Sequence, residues 1–253
     1  MTTLAIIGGT GLTRMEGLTV TRREMVKTPY GAPSCPIVFG ELGGQEVAFL
    51  ARHGSTHRIP PHRVNYCANI WALHSVGIKR IIAVGAVGGI SADCTVGAIV
   101  VPDQIIDYTA GRVSTFFDGG DEPVEHIDFS YPYDESLRKG LIDGAKAVGA
   151  NIKVIDHGVY GATQGPRLET AAEIRRMAND GCTIVGMTGM PEASLAAEQG
   201  IAYACCSVVI NPAAGVNDKP VDTEALPSAI SDAMNNARAV LNQTLQSSIL
   251  QKG

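Results

Sequence analysis

The sequence predicts a single α/β domain, and three observations predict it. Short β-rich apolar runs recur along the chain, several of them ending at glycine or a polar cluster. Stretches with helical apolar spacing are interleaved with these runs throughout. No repeat period, low-complexity tract or linker-like segment divides the 253 residues, a length that α/β chains often hold in one domain.

Leu4 to Ile7 form the first strand, stopped by Gly8 and Gly9 in a tight turn. Further strands are predicted at Ile37 to Phe39, Val47 to Leu50, Ile81 to Val84 and Ala98 to Val101, then at Val154 to Tyr160, Thr183 to Met187 and Ile201 to Ile210. Helices are predicted at Val64 to Val76, where Tyr66, Ile70 and Leu73 share a face, and at Glu135 to Val148, Thr170 to Asn179 and about Thr223 to Leu250. The least regular part is Asp107 to Tyr133, where Phe116, Phe117, Asp118, Gly119, Gly120, Asp121 and Glu122 predict an exposed loop. Long loops of this kind are often binding elements or subunit contacts.

With 45% hydrophobic and 18% charged residues, the chain is neither disordered nor fibrous. A formal charge of −5 and the absence of any long Lys or Arg run argue against a nucleic-acid or anionic-membrane surface, so a small-molecule site is the default. The opening MTTLAIIGGTGL has too short an apolar stretch, and no basic flank, for a secretory signal or a spanning helix, and a cytoplasmic protein is expected. Cys35, Cys67, Cys94, Cys182, Cys205 and Cys206 lack the CxxC spacing of zinc ribbons or redox centres and are read as reduced and mostly buried.

Four elements suit an anion. Gly8 to Gly11, in GGTG, offer backbone N–H groups and the Thr10 hydroxyl after a strand. The same glycines could open a dinucleotide fold, but the following TRMEGLTVTRREM lacks the third glycine and the clean helix of that fingerprint. Arg52 and His53, in ARHG, present a cation whose fork of donors fits phosphate; a surface arginine beside a core histidine is the plainer account. Gly85 to Gly89, in GAVGG, let backbone approach a ligand closely, or make a packed turn. Met187 and Thr188 add an apolar surface and a hydroxyl. All four are expected at C-terminal strand ends, where α/β sheets build ligand sites.

GGTG at Gly8, ARHG at Ala51, VNYCANIWAL from Val64, GPRLET from Gly165 and GMTGMPE from Gly186 span nearly the whole chain in order. Together they resemble the trimeric purine nucleoside phosphorylases and, most closely, their methylthioadenosine phosphorylase branch. The resemblance implies a three-layer phosphorylase/hydrolase-like fold with a mixed central sheet over residues 1–253. It also implies a reaction in which inorganic phosphate displaces a purine from C1′ of a nucleoside, with no metal or organic cofactor. Carried over by position, phosphate falls to Thr10, Arg52, His53, the backbone at Gly85 and Ala86, and Thr188. Met187 would lie against the ribose. His126, in VEHIDFSYPY, stands where family homotrimers insert a residue of the neighbouring subunit. Since glycosidic cleavage builds positive charge on the sugar and negative charge on the base, phosphate belongs under the sugar and donors belong around the base.

Asn211 and Glu169 are the candidates for the catalytic base contacts. In the adenine-using branch the Asn211 position is an aspartate, a second aspartate stands at Ala213, and a small hydroxyl residue replaces Glu169; the residues present resemble the branch that cleaves inosine and guanosine. Hypoxanthine offers an N1–H donor and an O6 acceptor, matching a carboxylate and an amide, whereas adenine offers the reverse. Read alone, Glu169 equally suits a helix N-terminus. All six histidines, the last being His157, lie before residue 158, so none stands in the C-terminal region where inosine phosphorylases meet the 5′-hydroxyl. Val221, Ala225 and Leu226 stand there instead, and an apolar recess suits a methylthio group. The combination points to 5′-methylthioinosine. Leu168 replaces the family's base-stacking aromatic, and Gly85 replaces a hydroxyl residue of the phosphate site. A 6-oxopurine nucleoside phosphorylase, a methylthioadenosine phosphorylase and, from another class, a dinucleotide-binding regulatory protein are the competing readings.

Overall fold

The computed structural model describes residues 2–119, 123–149 and 152–247. Eleven strands form one mixed sheet: β1 (Leu4–Gly8), β2 (Thr19–Glu24), β3 (Ile37–Leu42), β4 (Gln45–Ala51), β5 (Arg80–Gly89), β6 (Ile99–Val100), β7 (Gln104–Asp107), β8 (Val154–Ile155), β9 (Val159–Ala162), β10 (Ile184–Gly186) and β11 (Ala202–Pro212). Five helices accompany them: α1 (Tyr66–Ser75), α2 (Glu135–Val148), α3 (Ala171–Asn179), α4 (Gly189–Glu198) and α5 (Leu226–Gln246). Along one path the strand order is β2-β3-β4-β1-β5-β10-β9-β7, with β11 on β5. Packing of α2 and α5 against each other and against β11, and of α1 against α4, which also meets β11, makes helix, sheet and helix layers. The mixed three-layer fold is the expected one.

Local chemistry explains the helix starts. Asn65, Asp134 and Thr170 each accept a hydrogen bond from a backbone N–H of the first turn, and Thr170 with Glu173 completes a capping box. The core is continuous through the sheet, with Ile6, Ile7, Ile81, Ile82, Val208 and Val209 wholly buried. Cys205 and Cys206 are buried in β11, and all six cysteines are unpaired and buried.

Several elements depart from expectation. The run Val154 to Tyr160 is two strands, β8 and β9, because exposed Asp156 and His157 break it and the Gly158 N–H turns to the Asp103 carboxylate at 2.7 Å. Gly85 to Gly89 are not a turn but the second half of β5. Strands β2 and β7 and helix α4 were not expected. β2 is an edge strand of TVTRRE with five of its six residues exposed, so it carries no apolar run. α4 holds Gly189 and Pro191, which disguise a helix whose first turn needs no proline N–H. Within the irregular segment Asp107 to Tyr133, Gly120, Asp121 and Glu122 lie outside the described residues, as do Ser248 to Leu250 of the helix predicted from sequence. The turn after GGTG leads to β2 and not to a helix, which removes the geometry a dinucleotide fingerprint requires.

The sheet forks at β5. Its first residues pair with β1 in parallel, ending at Ile7 opposite Ala83; its last pair with β10 in antiparallel, beginning at Val185 opposite Gly88. Between these pairings, Val84 to Val87 leave one partner before meeting the other. Strand β11 runs beside β5 throughout, with an irregularity between Val209 and Asn211 that re-aims the strand end.

Candidate active site

A cavity of about 540 Å³ opens at this fork. From the β1 side come Gly9 and Thr10, from the β4 side Arg52, His53, His57 and Arg58, and from β5 itself Gly85 to Gly88. Met187 and Thr188 follow β10, Asn211 and Ala213 close the end of β11, and Leu168 and Glu169 precede α3. Val221, Leu226 and Ile230 add an apolar wall from the start of α5 and the segment before it. Of the residues singled out from sequence for phosphate, base and sugar contacts, the structure brings all but His126 and Ala225 into this cavity. His126 is exposed and does not line this cavity. Because β10 is antiparallel, Met187 and Thr188 meet the middle of β5, so the four anion elements converge on a seam and not on a common row of strand tips.

Close approach explains the glycines. A Cβ on Gly9 would lie 2.6 Å from the Val84 carbonyl and 3.0 Å from the Arg52 guanidinium, so only glycine lets this turn pack on the site. At Gly85 a Cβ would meet open space, consistent with a face turned to the cavity.

Arg52 is only 1% exposed, and its fork does not point to the cavity alone. Nε and Nη2 donate to the two carboxylate oxygens of Glu192, each at 2.6 Å, and Nη1 donates to the Val84 carbonyl at 3.1 Å. Three of five N–H donors are committed in this way, leaving two for an anion. Tyr203 donates its hydroxyl to the same carboxylate at 2.9 Å. The sequence suits this fork to phosphate, but most of it serves Glu192 and Val84. Glu192 went unassigned there because its partner lies 140 residues away.

His53 donates from Nδ1 to the Ile59 carbonyl at 2.8 Å, which leaves Nε2 without a proton in the neutral ring. Burial, reinforced by the Arg52 charge, lowers its pKa to about 4. His57 faces Thr10, Nε2 to Oγ1 at 3.2 Å, with its backbone at φ 53°. Neither His57 nor Arg58 was singled out from sequence, although ARHGSTHR gathers four basic or imidazole side chains within one loop.

Glu169 accepts a hydrogen bond from Thr163 Oγ1 at 2.6 Å, and Asn211 donates from Nδ2 to the Pro212 carbonyl at 2.6 Å. Among the described residues, no group of three or more His, Cys, Asp or Glu is placed to hold a metal, and no helix is long and apolar enough to cross a membrane.

Residues 3–246 match the phosphorylase superfamily. The chain belongs to that superfamily and is an enzyme of its class. Over 248 residues it is 52% identical to a probable S-methyl-5′-thioinosine phosphorylase of Pseudomonas syringae pv. tomato, covering 98% of this chain and 100% of that protein. A 6-oxopurine nucleoside phosphorylase of Pyrococcus furiosus is 47% identical over 87% of this chain and 83% of its own. The crystal structure of a methylthioadenosine phosphorylase from an antarctic soil metagenomic library superposes with a TM-score of 0.88 at 39% identity, over 96% of this chain and 85% of that one.

Proposed function

We propose that this protein catalyses the phosphorolysis of S-methyl-5′-thioinosine to hypoxanthine and 5-methylthioribose 1-phosphate, a step of purine salvage. One observation carries the reading: a single cavity combines Glu169 and Asn211 with an apolar wall of Val221, Leu226 and Ile230, beside a buried arginine. The relatives named as thioinosine phosphorylases support the same substrate.

In this reading a phosphate oxygen forms a bond to C1′ while the bond from C1′ to purine N9 breaks, its electron pair leaving with the base. The remaining N–H donors of Arg52, the Thr10 and Thr188 hydroxyls and the backbone of Gly85 and Ala86 hold the phosphate below the sugar, and the unprotonated Nε2 of His53 accepts from the hydroxyl of a monoprotonated phosphate. Met187 packs on the ribose and Leu168 on the base. Glu169 accepts from purine N1–H, and the second Asn211 amide proton goes to O6, where negative charge develops as the base departs. Ala213 leaves room beside that edge. No cofactor is needed beyond phosphate as co-substrate.

Residues 1–253 act as one nucleoside phosphorylase domain in a cytoplasmic homotrimer, in which His126 reaches the site of the neighbouring subunit. Exposure of His126 together with Val113, Val124 and Tyr131 in the same segment supports that arrangement.

A broader 6-oxopurine nucleoside phosphorylase is the second reading, favoured by the Pyrococcus furiosus relative. Phosphate-dependent base release from methylthioinosine, inosine, methylthioadenosine and adenosine, measured side by side, separates them. Preference for methylthioinosine supports the proposal; equal use of inosine favours the second reading; preference for either adenine nucleoside overturns both.

A further inference from the structure

Glu169 stands in a wall between two cavities. It lines the site at the β5 fork, and it also lines a neighbouring cavity of about 520 Å³ bordered by Asp107, Gln164, Arg167 and Arg176. A flexible carboxylate at this place has two directions to face, and the neighbouring cavity mixes charges: Arg167 there is paired with Glu173 and Arg176 with Asp180, while Asp107 adds another carboxylate. Its only tether among the hydrogen bonds described is the hydroxyl of Thr163, at 2.6 Å from Oε1.

Thr163 is itself held on three sides. It follows β9 directly, is 8% exposed, and donates its backbone N–H to the Gly186 carbonyl of the adjacent β10 at 2.8 Å. Its own carbonyl accepts from Arg112 Nη2 at 3.1 Å. Arg112 also donates to the carbonyls of Gln164 at 2.8 Å and Met190 at 2.6 Å, so it bolts this strand end to the start of α4. The Gly186 carbonyl lies 3.3 Å from the Thr163 hydroxyl, but the shorter contact to a charged acceptor takes the single proton.

From this geometry we infer that Thr163 is a positioning residue for base recognition: its hydroxyl occupies Oε1 of Glu169, keeps the carboxylate on the nucleoside side of the wall, and leaves Oε2 to accept the purine N1–H. The inference rests on the proposed reading of Glu169 as a base contact. It differs from that reading in assigning the discrimination to a pair, with the hydroxyl as the rigid member.

The test is a double-mutant cycle in the full-length protein, with Thr163→Val, Glu169→Ala and the double variant, and with Thr163→Ser as the conservative replacement. Steady-state kinetics are followed for methylthioinosine and, separately, for inorganic phosphate. Thr163→Val is expected to lower kcat/KM for methylthioinosine about tenfold, the scale of one hydrogen bond to a charged group, with the KM for phosphate unchanged. Thr163→Ser restores the wild-type values, and in the Glu169→Ala background Thr163→Val has no further effect. A merely structural role would raise both KM values and would persist without Glu169. If Glu169→Ala is impaired while Thr163→Val equals wild type, or if the two losses multiply, this inference falls and the reading of Glu169 stands. If Thr163→Val does not fold, Thr163→Ser decides: a tenfold loss there overturns the inference, since serine keeps the hydroxyl. If the wild-type protein turns over no 6-oxopurine nucleoside, the reading of the site falls and takes the inference with it.

Discussion

Arg52 and Glu192 form a buried two-pronged ion pair, 2.6 Å at each prong, with both side chains at most 2% exposed. The pair joins the loop after β4 to α4, and it fixes the plane of the guanidinium before any anion arrives. A buried pair of this kind is weak evidence of net stability, yet breaking it is costly because one charge is left without compensation.

Glu192→Gln is therefore expected to destabilise the fold by about 3–5 kcal/mol, measured by urea denaturation at neutral pH. Arg52→Ala combines a loss of this size with weaker phosphate binding, by about 1.5–3 kcal/mol. An unchanged urea midpoint in Glu192→Gln would show that the arginine is compensated elsewhere.

His53 predicts a stability that falls in acid. Its pKa drops from an ordinary 6.5 to about 4 because burial, and then the Arg52 charge, disfavour the imidazolium. The unfolded chain consequently binds the proton more readily between these values. The contribution is complete above about pH 6.5, and it is lost as pH falls toward 4, to a total of about 3 kcal/mol. Unfolding free energies measured across that window should slope upward with pH in the wild type and more shallowly in His53→Gln; parallel slopes would exclude His53 as the source.

At position 211 the side chain faces the Pro212 carbonyl at 2.6 Å, which only a donor can do favourably. Asn211→Asp is expected to turn the side chain away from that carbonyl and exchange a donor for an acceptor at the base. Activity on methylthioinosine should fall by about two orders of magnitude, with the ratio of methylthioadenosine to methylthioinosine use rising. Relative rates equal to wild type would remove Asn211 from the base edge.

Gly85 has room for a side chain, since a Cβ there meets nothing within 4 Å. Gly85→Ser should fold normally and lower the KM for phosphate, by about fivefold if its hydroxyl makes one neutral hydrogen bond to the anion. Phosphate titration of the initial rate checks this; a higher KM would mean that the space is filled by substrate.

How much of this was legible in sequence depended on whether the controlling contact was local. Leu4 to Ile7 and Ile201 to Ile210 announce themselves by apolar runs, the second interrupted only by Ser207. Edge strand β2 does not, because nearly all its residues face solvent and nothing selects apolar side chains there. Thr10, Arg52, His53, Leu168, Glu169, Met187 and Thr188 were readable through the family motifs, whose order along the chain is their signal, whereas Asn211, Ala213, Val221 and Leu226 lie outside those motifs. Glu192 was quoted within GMTGMPE but had no visible task, since an ion pair across 140 residues leaves no spacing to find. Thr163 was hidden differently: a hydroxyl six residues before a glutamate has no periodic meaning, and the turn through GPRL brings them together only in three dimensions.

In the proposed reading, the change of partners along β5 would give phosphate a mechanical task besides a chemical one. Thr10 belongs to the β1 flank and Thr188 to the β10 flank, and Gly85 and Ala86 lie where neither flank is zipped to the strand. An anion gripped by all of them would splint the two halves of the sheet, so the co-substrate would stiffen the scaffold that then clasps the nucleoside.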